Sequence, residues 1–179
     1  MKALLFTTAA VLSLSPVHAD WTIVTVDDPI TDAKKYSIVT QGDPVKVTDF
    51  MQYIPELYVR VTPISYDAKT DRMQYSSEVF FAIQSEGLRR GESSAKIRFD
   101  KNPAEDVTIT ASTDRRAGFF ASKDKLIDKL STSTNLLIRF STTLGAVRTI
   151  KFPVAGLMPK LKEVKRTVAK SSPPPAKNR

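Results

Sequence analysis

The chain has 179 residues, of which 41% are hydrophobic and 26% charged, a composition that is typical of a folded domain and excludes disorder over the whole length. It contains no cysteine and its single histidine is His18, so disulfides, thiolate metal sites and histidine-based catalysis beyond the first 19 residues are excluded. The formal net charge is +8, but residues 160–179 hold seven Lys or Arg and one acid, and the near-neutral remainder is not the basic surface of a nucleic-acid-binding domain.

Residues 1–19 have the pattern of a secretory signal peptide. Lys2 supplies the positive start, and Val17-His18-Ala19 places small residues at the two recognition positions for cleavage. The apolar stretch between them is about 12 residues long, whereas a membrane-spanning helix needs roughly 20. We therefore expect an exported protein, periplasmic or secreted, with no transmembrane segment after cleavage.

Segment 20–168 is predicted to form a single domain, because apolar and polar side chains alternate along much of it with the period of a β-strand. Turn residues separate these alternating stretches from one another. The predicted strands are 21–26, 36–40, 57–64, 75–84, 95–99, 107–111, 136–141 and 146–152, with a short apolar run at 117–121.

Two features of these strands carry specific expectations. Pro63 has no N–H to donate and is predicted to mark the end or the edge of its strand. An aromatic cluster is expected in the core, with Phe80 as the exception because alternation places it opposite Phe81. The cluster consists of Tyr75, Phe80, Phe81, Phe99, Phe119 and Phe120.

Two segments have helical rather than strand periodicity. Ser122 is predicted to cap a helix over 123–130, and a second helix is predicted to begin near Gly156. The second helix carries one apolar stripe, formed by Leu157, Leu161, Val164 and Val168. Many short strands with two brief helices indicate a mainly β fold, an antiparallel β-sandwich with two short α-helices.

Residues 169–179 are rich in proline and basic side chains and are predicted to be a disordered tail, since their few apolar groups cannot offset the entropy of ordering. Such a tail is either a solubilising end or a segment that touches anionic lipid or envelope polymer. The sequence leaves both interpretations open.

Three motifs together resemble the VasI-like family of exported proteins associated with type VI secretion loci. They are AKIRFD at 95–100, STDRRAGF at 112–119 and FPVAGL at 152–157, and Trp21 follows the leader as the family's tryptophan does. The resemblance implies an exported, non-enzymatic β-domain without catalytic residues. The family's two cysteines correspond to Val61 and about Val164, so the resemblance implies an apolar contact in place of a bridge.

Three arginines are the candidate partner-binding residues. Arg60, Arg98 and Arg139 each lie near the middle of a predicted strand, on the face opposite its apolar side chains. If the strands are neighbours, the guanidinium groups form a stripe that can hold a carboxylate or phosphate. The alternatives are solvated side chains, or cross-strand ion pairs with Glu78 or Asp100.

The expected function is that of a non-catalytic binding protein of the bacterial cell envelope, without cofactor or metal and without nucleic acid as a partner. It would act as an accessory or adaptor of a secretion system through a protein partner. The alternatives are a periplasmic inhibitor or modulator of a cell-wall hydrolase that acts by loop insertion, and a hydrolase that uses carboxylates only.

Overall fold

The computed structural model describes residues 19–27, 34–67 and 72–171, which form strands and two helices. The predicted leader before Ala19 and residues 172–179 of the predicted tail lie outside these ranges. The elements are β1 Thr22–Asp27, β2 Lys34–Gln41, β3 Val45–Thr48, β4 Met51–Tyr53, β5 Glu56–Asp67, β6 Arg72–Ala82, β7 Glu92–Phe99, β8 Glu105–Ala111, β9 Ala117–Phe120, α1 Lys123–Thr132, β10 Asn135–Ser141, β11 Val147–Pro153 and α2 Leu157–Ser171.

Nine of the strands form one antiparallel sheet in the order β1-β2-β5-β6-β9-β8-β7-β10-β11, and β3 and β4 form a separate hairpin. Strands β7, β8 and β9 are a meander, and α1 then returns the chain so that β10 pairs with β7. The spatial order β10-β7-β8-β9 is a Greek key. This return places β7 and β10 side by side.

The sheet bends so that its two halves face each other across the core. The ring centroids of Phe81 on β6 and Phe140 on β10 lie 5.1 Å apart. At the open ends of the sheet, the amide of Asp43 donates to the carbonyl of Lys151 at 2.8 Å, and the indole of Trp21 donates to the carbonyl of Val154 at 3.2 Å. The predicted antiparallel, mainly β sandwich with two helices is therefore confirmed, with one continuous sheet supplying both layers.

Strand alternation determines which side chains fill the core. Leu57, Val59 and Val61 of β5 are fully buried, and the side chains between them face outwards. The apolar stripe of α2 is also buried, where the helix packs against β1, β2 and β5. Val61 and Val164 both belong to this core.

Strand β5 continues through Pro63, so of the two predicted alternatives the proline marks an edge of the sheet and not the end of its strand. The ladder between β2 and β5 reaches only Val61, and beyond it β5 is paired with β6 alone. A register shift between Pro63 and Ser65 accommodates the proline. A proline is tolerated there because it removes no hydrogen bond to a second neighbour.

Both helices agree with the predicted periodicity but differ from the prediction in detail. Ser122 occupies the N-cap position of α1, yet its hydroxyl makes no capping hydrogen bond. Helix α2 extends to Ser171, so 169–171 of the predicted tail are the last residues of the helix. Across the described ranges, neither helix is long and apolar enough to span a membrane.

Candidate functional site

The structure brings two of the three candidate arginines together on the outer face of the sheet. β7 and β10 are paired with Leu137 opposite Arg98 and Arg139 opposite Lys96, so the two arginines are diagonal neighbours. Both arginines are exposed, because side chains alternate along each strand. Ile97 and the inward residues of β10 point into the core, and the arginines point outwards. Of the three arginines predicted from the sequence, Arg98 and Arg139 are therefore neighbours on the surface.

A shallow depression surrounds this pair. A cavity of about 250 Å³ is lined by Arg98, Arg139, Lys96, Leu137 and Thr149 among others, and a second of about 430 Å³ by Arg98, Leu137 and Lys151 among others. Because Arg98 and Leu137 line both cavities, the two cavities are parts of one depression. We call the depression the basic groove and define it by Lys96, Arg98, Leu137, Arg139, Thr149 and Lys151.

The lysines of the basic groove already have acidic partners, whereas the arginines do not. Lys96 Nζ lies 2.8 Å from Asp106 Oδ1, and Lys151 Nζ lies 3.5 Å from Asp43 Oδ2. Among the described residues, Arg98 makes no side-chain hydrogen bond or ion pair. Arg139 donates only to the hydroxyl of Thr149, at 3.3 Å. Two exposed guanidinium groups thus remain available to an external anion.

Asp100 does not neutralise these arginines, although the sequence left that pairing open. Its carboxylate accepts hydrogen bonds from the backbone amides of Asn135 at 2.8 Å and Thr134 at 3.1 Å. Asp100 has a φ of 49°, in the left-handed region where aspartate is tolerated. It therefore connects the end of β7 to the start of β10 and holds the two groove strands in register.

Arg60 lies apart from the other two arginines, because β6, β9 and β8 stand between β5 and β7 in the sheet. Its Nη1 lies 3.2 Å from Glu78 Oε2, which is the cross-strand ion pair that the sequence offered as an alternative. Its guanidinium carbon also lies 4.8 Å from the centroid of Phe80. A stripe of all three arginines is therefore not formed.

Beneath Arg60, three aromatic rings cross the outer face from β5 to β9. Tyr58 and Phe80 stack in parallel at 4.7 Å, and Phe80 lies 4.8 Å from Phe119. Phe80 does face away from the core, yet its neighbours leave it only 7% exposed. We call Tyr58, Phe80 and Phe119 the aromatic row; it stabilises the middle of the sheet from outside.

Burial of Tyr58 raises the pKa of its phenol to about 12, and the hydroxyl donates to Glu56 Oε2 at 2.6 Å, which adds to the shift. The neutral phenol is favoured because a phenolate would lie beside a carboxylate. This hydroxyl therefore acts as a hydrogen-bond donor at neutral pH.

A second polar cluster lies at the end of the sheet that carries the β10–β11 turn. Glu86 is buried, and its two oxygens each accept a hydrogen bond of 2.6 Å from the guanidinium of Arg148. The hydrogen bonds that Arg148 donates to Glu86 raise the pKa of its guanidinium and keep it charged. The pair is an internal connection between the segment after β6 and strand β11.

Strand β1 leaves one edge of the large sheet without a partner strand among the described residues. Val24 and Val26 of β1 are exposed on the outer face, and a groove of about 480 Å³ runs beside Thr22, Val24 and Val39. An unpaired edge with exposed apolar side chains is a surface on which an extended segment can add a strand. This surface is separate from the basic groove.

Lys96, Leu137, Thr149 and Lys151 were not predicted as site residues, although alternation already places them outward. The pairing of β7 with β10 decides which of the outward residues meet, and local alternation in the sequence does not predict that pairing.

Within the described ranges, no group of three or more histidine, cysteine, aspartate or glutamate side chains is arranged to hold a metal ion. Comparisons with models of protein families, with curated proteins and with solved structures gave no match to this chain.

Proposed function

We propose that the protein is an exported, non-catalytic binding protein of the bacterial cell envelope, and that the basic groove holds an acidic segment of a protein partner. The observation that carries the proposal is the adjacency of Arg98 and Arg139, exposed and without an acidic partner among the described residues. Two neighbouring guanidinium groups can bind carboxylates bidentately.

The chemistry of the groove supports binding rather than proton transfer. A guanidinium keeps its charge at any physiological pH, so it attracts an anion but neither gives nor takes a proton. Leu137 supplies an apolar floor between the charges, and the Thr149 hydroxyl adds a polar contact. The resemblance to the VasI-like family supports an adaptor or accessory of a secretion system as the specific role.

The experiment is a pull-down from an envelope extract of the bacterium that produces the protein. The wild type is compared with the Arg98→Glu/Arg139→Glu variant at low and at high salt. We expect the wild type to retain a discrete envelope protein, and both the variant and high salt to reduce its yield at least about tenfold, because the contact is electrostatic.

The matched control is Lys125→Glu/Lys162→Glu, which makes the same charge change at exposed helix positions. It should retain the partner at the wild-type level. Equal retention by the groove variant, with an unchanged circular-dichroism spectrum, would refute the groove as the binding site. A captured cell-wall hydrolase that the wild type inhibits would instead support a modulator acting by loop insertion.

A further inference from the structure

Three turns of the large sheet are interlocked at one end of the molecule. The amide of Leu88, in the turn after β6, donates to the carbonyl of Arg115 in the β8–β9 turn at 2.8 Å. The amide of Thr143, in the β10–β11 turn, donates to the carbonyl of Gly87 at 2.8 Å. Segments 84–91, 112–116 and 142–146 therefore form one continuous surface.

The β3–β4 hairpin extends towards the same end. Asp43 is hydrogen-bonded to Lys151, and Val45 and Lys46 share a groove with Val147 and Arg148. The chain after Asp43 thus runs antiparallel to β11. Because β11 begins at the β10–β11 turn, the β3–β4 hairpin turn points towards that turn. We call the three interlocked turns together with the hairpin turn 48–51 the loop end.

The loop end exposes large apolar side chains at the tips of two turns. Phe50 is fully exposed at the tip of the β3–β4 hairpin, and Leu144 is 86% exposed in the β10–β11 turn. Met51 and Val147, beside these tips, are at least half exposed. Several large apolar side chains exposed at one end of a molecule are typical of a surface that contacts a protein or a membrane.

Four arginines accompany these tips. Arg89 and Arg90 lie in the turn after β6, and Arg115 and Arg116 lie in the β8–β9 turn. All four are exposed, and none forms an ion pair with an acid in the part of the chain that the structure describes.

Two of the four acids near these arginines have basic partners of their own. Asp49 pairs with Lys46 at 2.7 Å, and Glu86 is bound by Arg148. The carboxylate of Asp114 accepts a hydrogen bond from the Ser112 hydroxyl, and it also accepts one from the backbone amide of Arg116. Asp114 and Glu92 are exposed acids that offset part of the charge of the four arginines. Four exposed guanidinium groups outnumber these two exposed carboxylates, so the loop end has a net positive charge beside its apolar tips.

We propose that the loop end docks on the surface of an anionic phospholipid bilayer. Phe50 and Leu144 enter the interface between headgroups and acyl chains, and the four arginines contact headgroup phosphates. Apolar side chains raised on separate narrow turns suit a fluid interface, whereas a protein partner would favour a broad complementary patch. This inference goes beyond the proposed function, because it uses another end of the molecule and another class of ligand.

The test is sedimentation of the purified protein with vesicles of phosphatidylcholine alone and of phosphatidylcholine with phosphatidylglycerol. We expect binding to the anionic vesicles only, with loss at high salt. Phe50→Ala/Leu144→Ala should weaken binding about tenfold by removing the inserted apolar groups. Replacing the four arginines by glutamine should weaken it at least as much.

Matched controls are Val24→Ala/Val26→Ala for exposed apolar groups and Lys123→Gln/Lys125→Gln for exposed charges; both should bind like the wild type. The groove variant Arg98→Glu/Arg139→Glu should also bind, which separates this proposal from the proposed function. Three results would overturn it: no binding to anionic vesicles, equal binding to neutral vesicles, or binding that only Lys177→Gln/Arg179→Gln in the C-terminal tail abolishes.

Discussion

Two tyrosine side chains differ in whether their hydroxyl groups have a hydrogen-bond partner. The hydroxyl of Tyr58 donates to Glu56. The hydroxyl of Tyr53 is buried and has no hydrogen-bond partner within the described ranges. A satisfied hydroxyl stabilises a fold modestly, whereas a buried unsatisfied one costs free energy.

Removing these two hydroxyls should therefore change stability in opposite directions. We expect Tyr58→Phe to lower the free energy of unfolding by about 1 kcal/mol and Tyr53→Phe to raise it by about 1 kcal/mol. Urea denaturation measures both. Destabilisation by Tyr53→Phe equal to that by Tyr58→Phe would contradict the assignment.

The same two phenols predict how stability depends on alkaline pH. Burial is the main cause that raises the pKa of Tyr53 and of Tyr58 from the ordinary 10.0 to about 12. The unfolded chain thus loses these protons first, so the free energy of unfolding falls as pH rises from 10.0 towards about 12. In Tyr53→Phe/Tyr58→Phe this fall should be smaller. An identical pH profile would show that the phenols are not perturbed.

Alternation was sufficient to predict which way each arginine faces, but not which arginines meet. Arg98 and Arg139 are neighbours because α1 returns the chain to place β10 beside β7. Arg60 is isolated by the insertion of β8 and β9. These long-range pairings depend on the packing of the whole core, and a local pattern does not contain them.

At the scale of elements, the long strands were predicted because each has several alternating residues, while the β3–β4 hairpin was missed. Its strands have four and three residues, too few for a period of two to be recognised. Pro63 shows a related limit of local patterns. Whether a proline interrupts a strand depends on whether a neighbouring strand needs its N–H, and here that depends on how far β2 extends along β5.

From the packing of the aromatic row we expect its rings to stabilise the fold about as much as buried core side chains do. Phe80→Ala should lower the free energy of unfolding by about 3 kcal/mol, because it removes a ring that contacts Tyr58, Phe119 and Arg60. Phe50→Ala, at a fully exposed position, should change it by less than about 0.5 kcal/mol. Urea denaturation of both variants is the measurement, and equal effects would contradict a stabilising role for the row.

At the scale of the whole molecule, the sandwich depends on contact between the two ends of one sheet. A Cβ at Gly42 would lie 2.7 Å from the carbonyl oxygen of Lys151 and 2.9 Å from the ring of Phe152. The backbone carbonyl cannot move aside without disturbing β11. The close approach therefore requires glycine.

Gly42→Ala is accordingly expected to lower the free energy of unfolding by about 2 kcal/mol. Gly87→Ala is the control, since its Cβ would approach the side chain of Thr143 at 3.3 Å, a contact that a small side-chain rotation relieves. Thermal and urea unfolding should rank Gly42→Ala as the more damaging change. The reverse order would argue against closure at this point.

The binding role of the basic groove is tested most directly by photo-cross-linking in the intact envelope. A benzophenone side chain replaces Thr149 in the groove or, in a second protein, Lys162 on the exposed face of α2. We predict a discrete protein adduct from position 149 only, which disappears when Arg98→Glu/Arg139→Glu is added. An adduct that forms from position 162 alone, or one from position 149 that survives the charge reversal, would contradict the account.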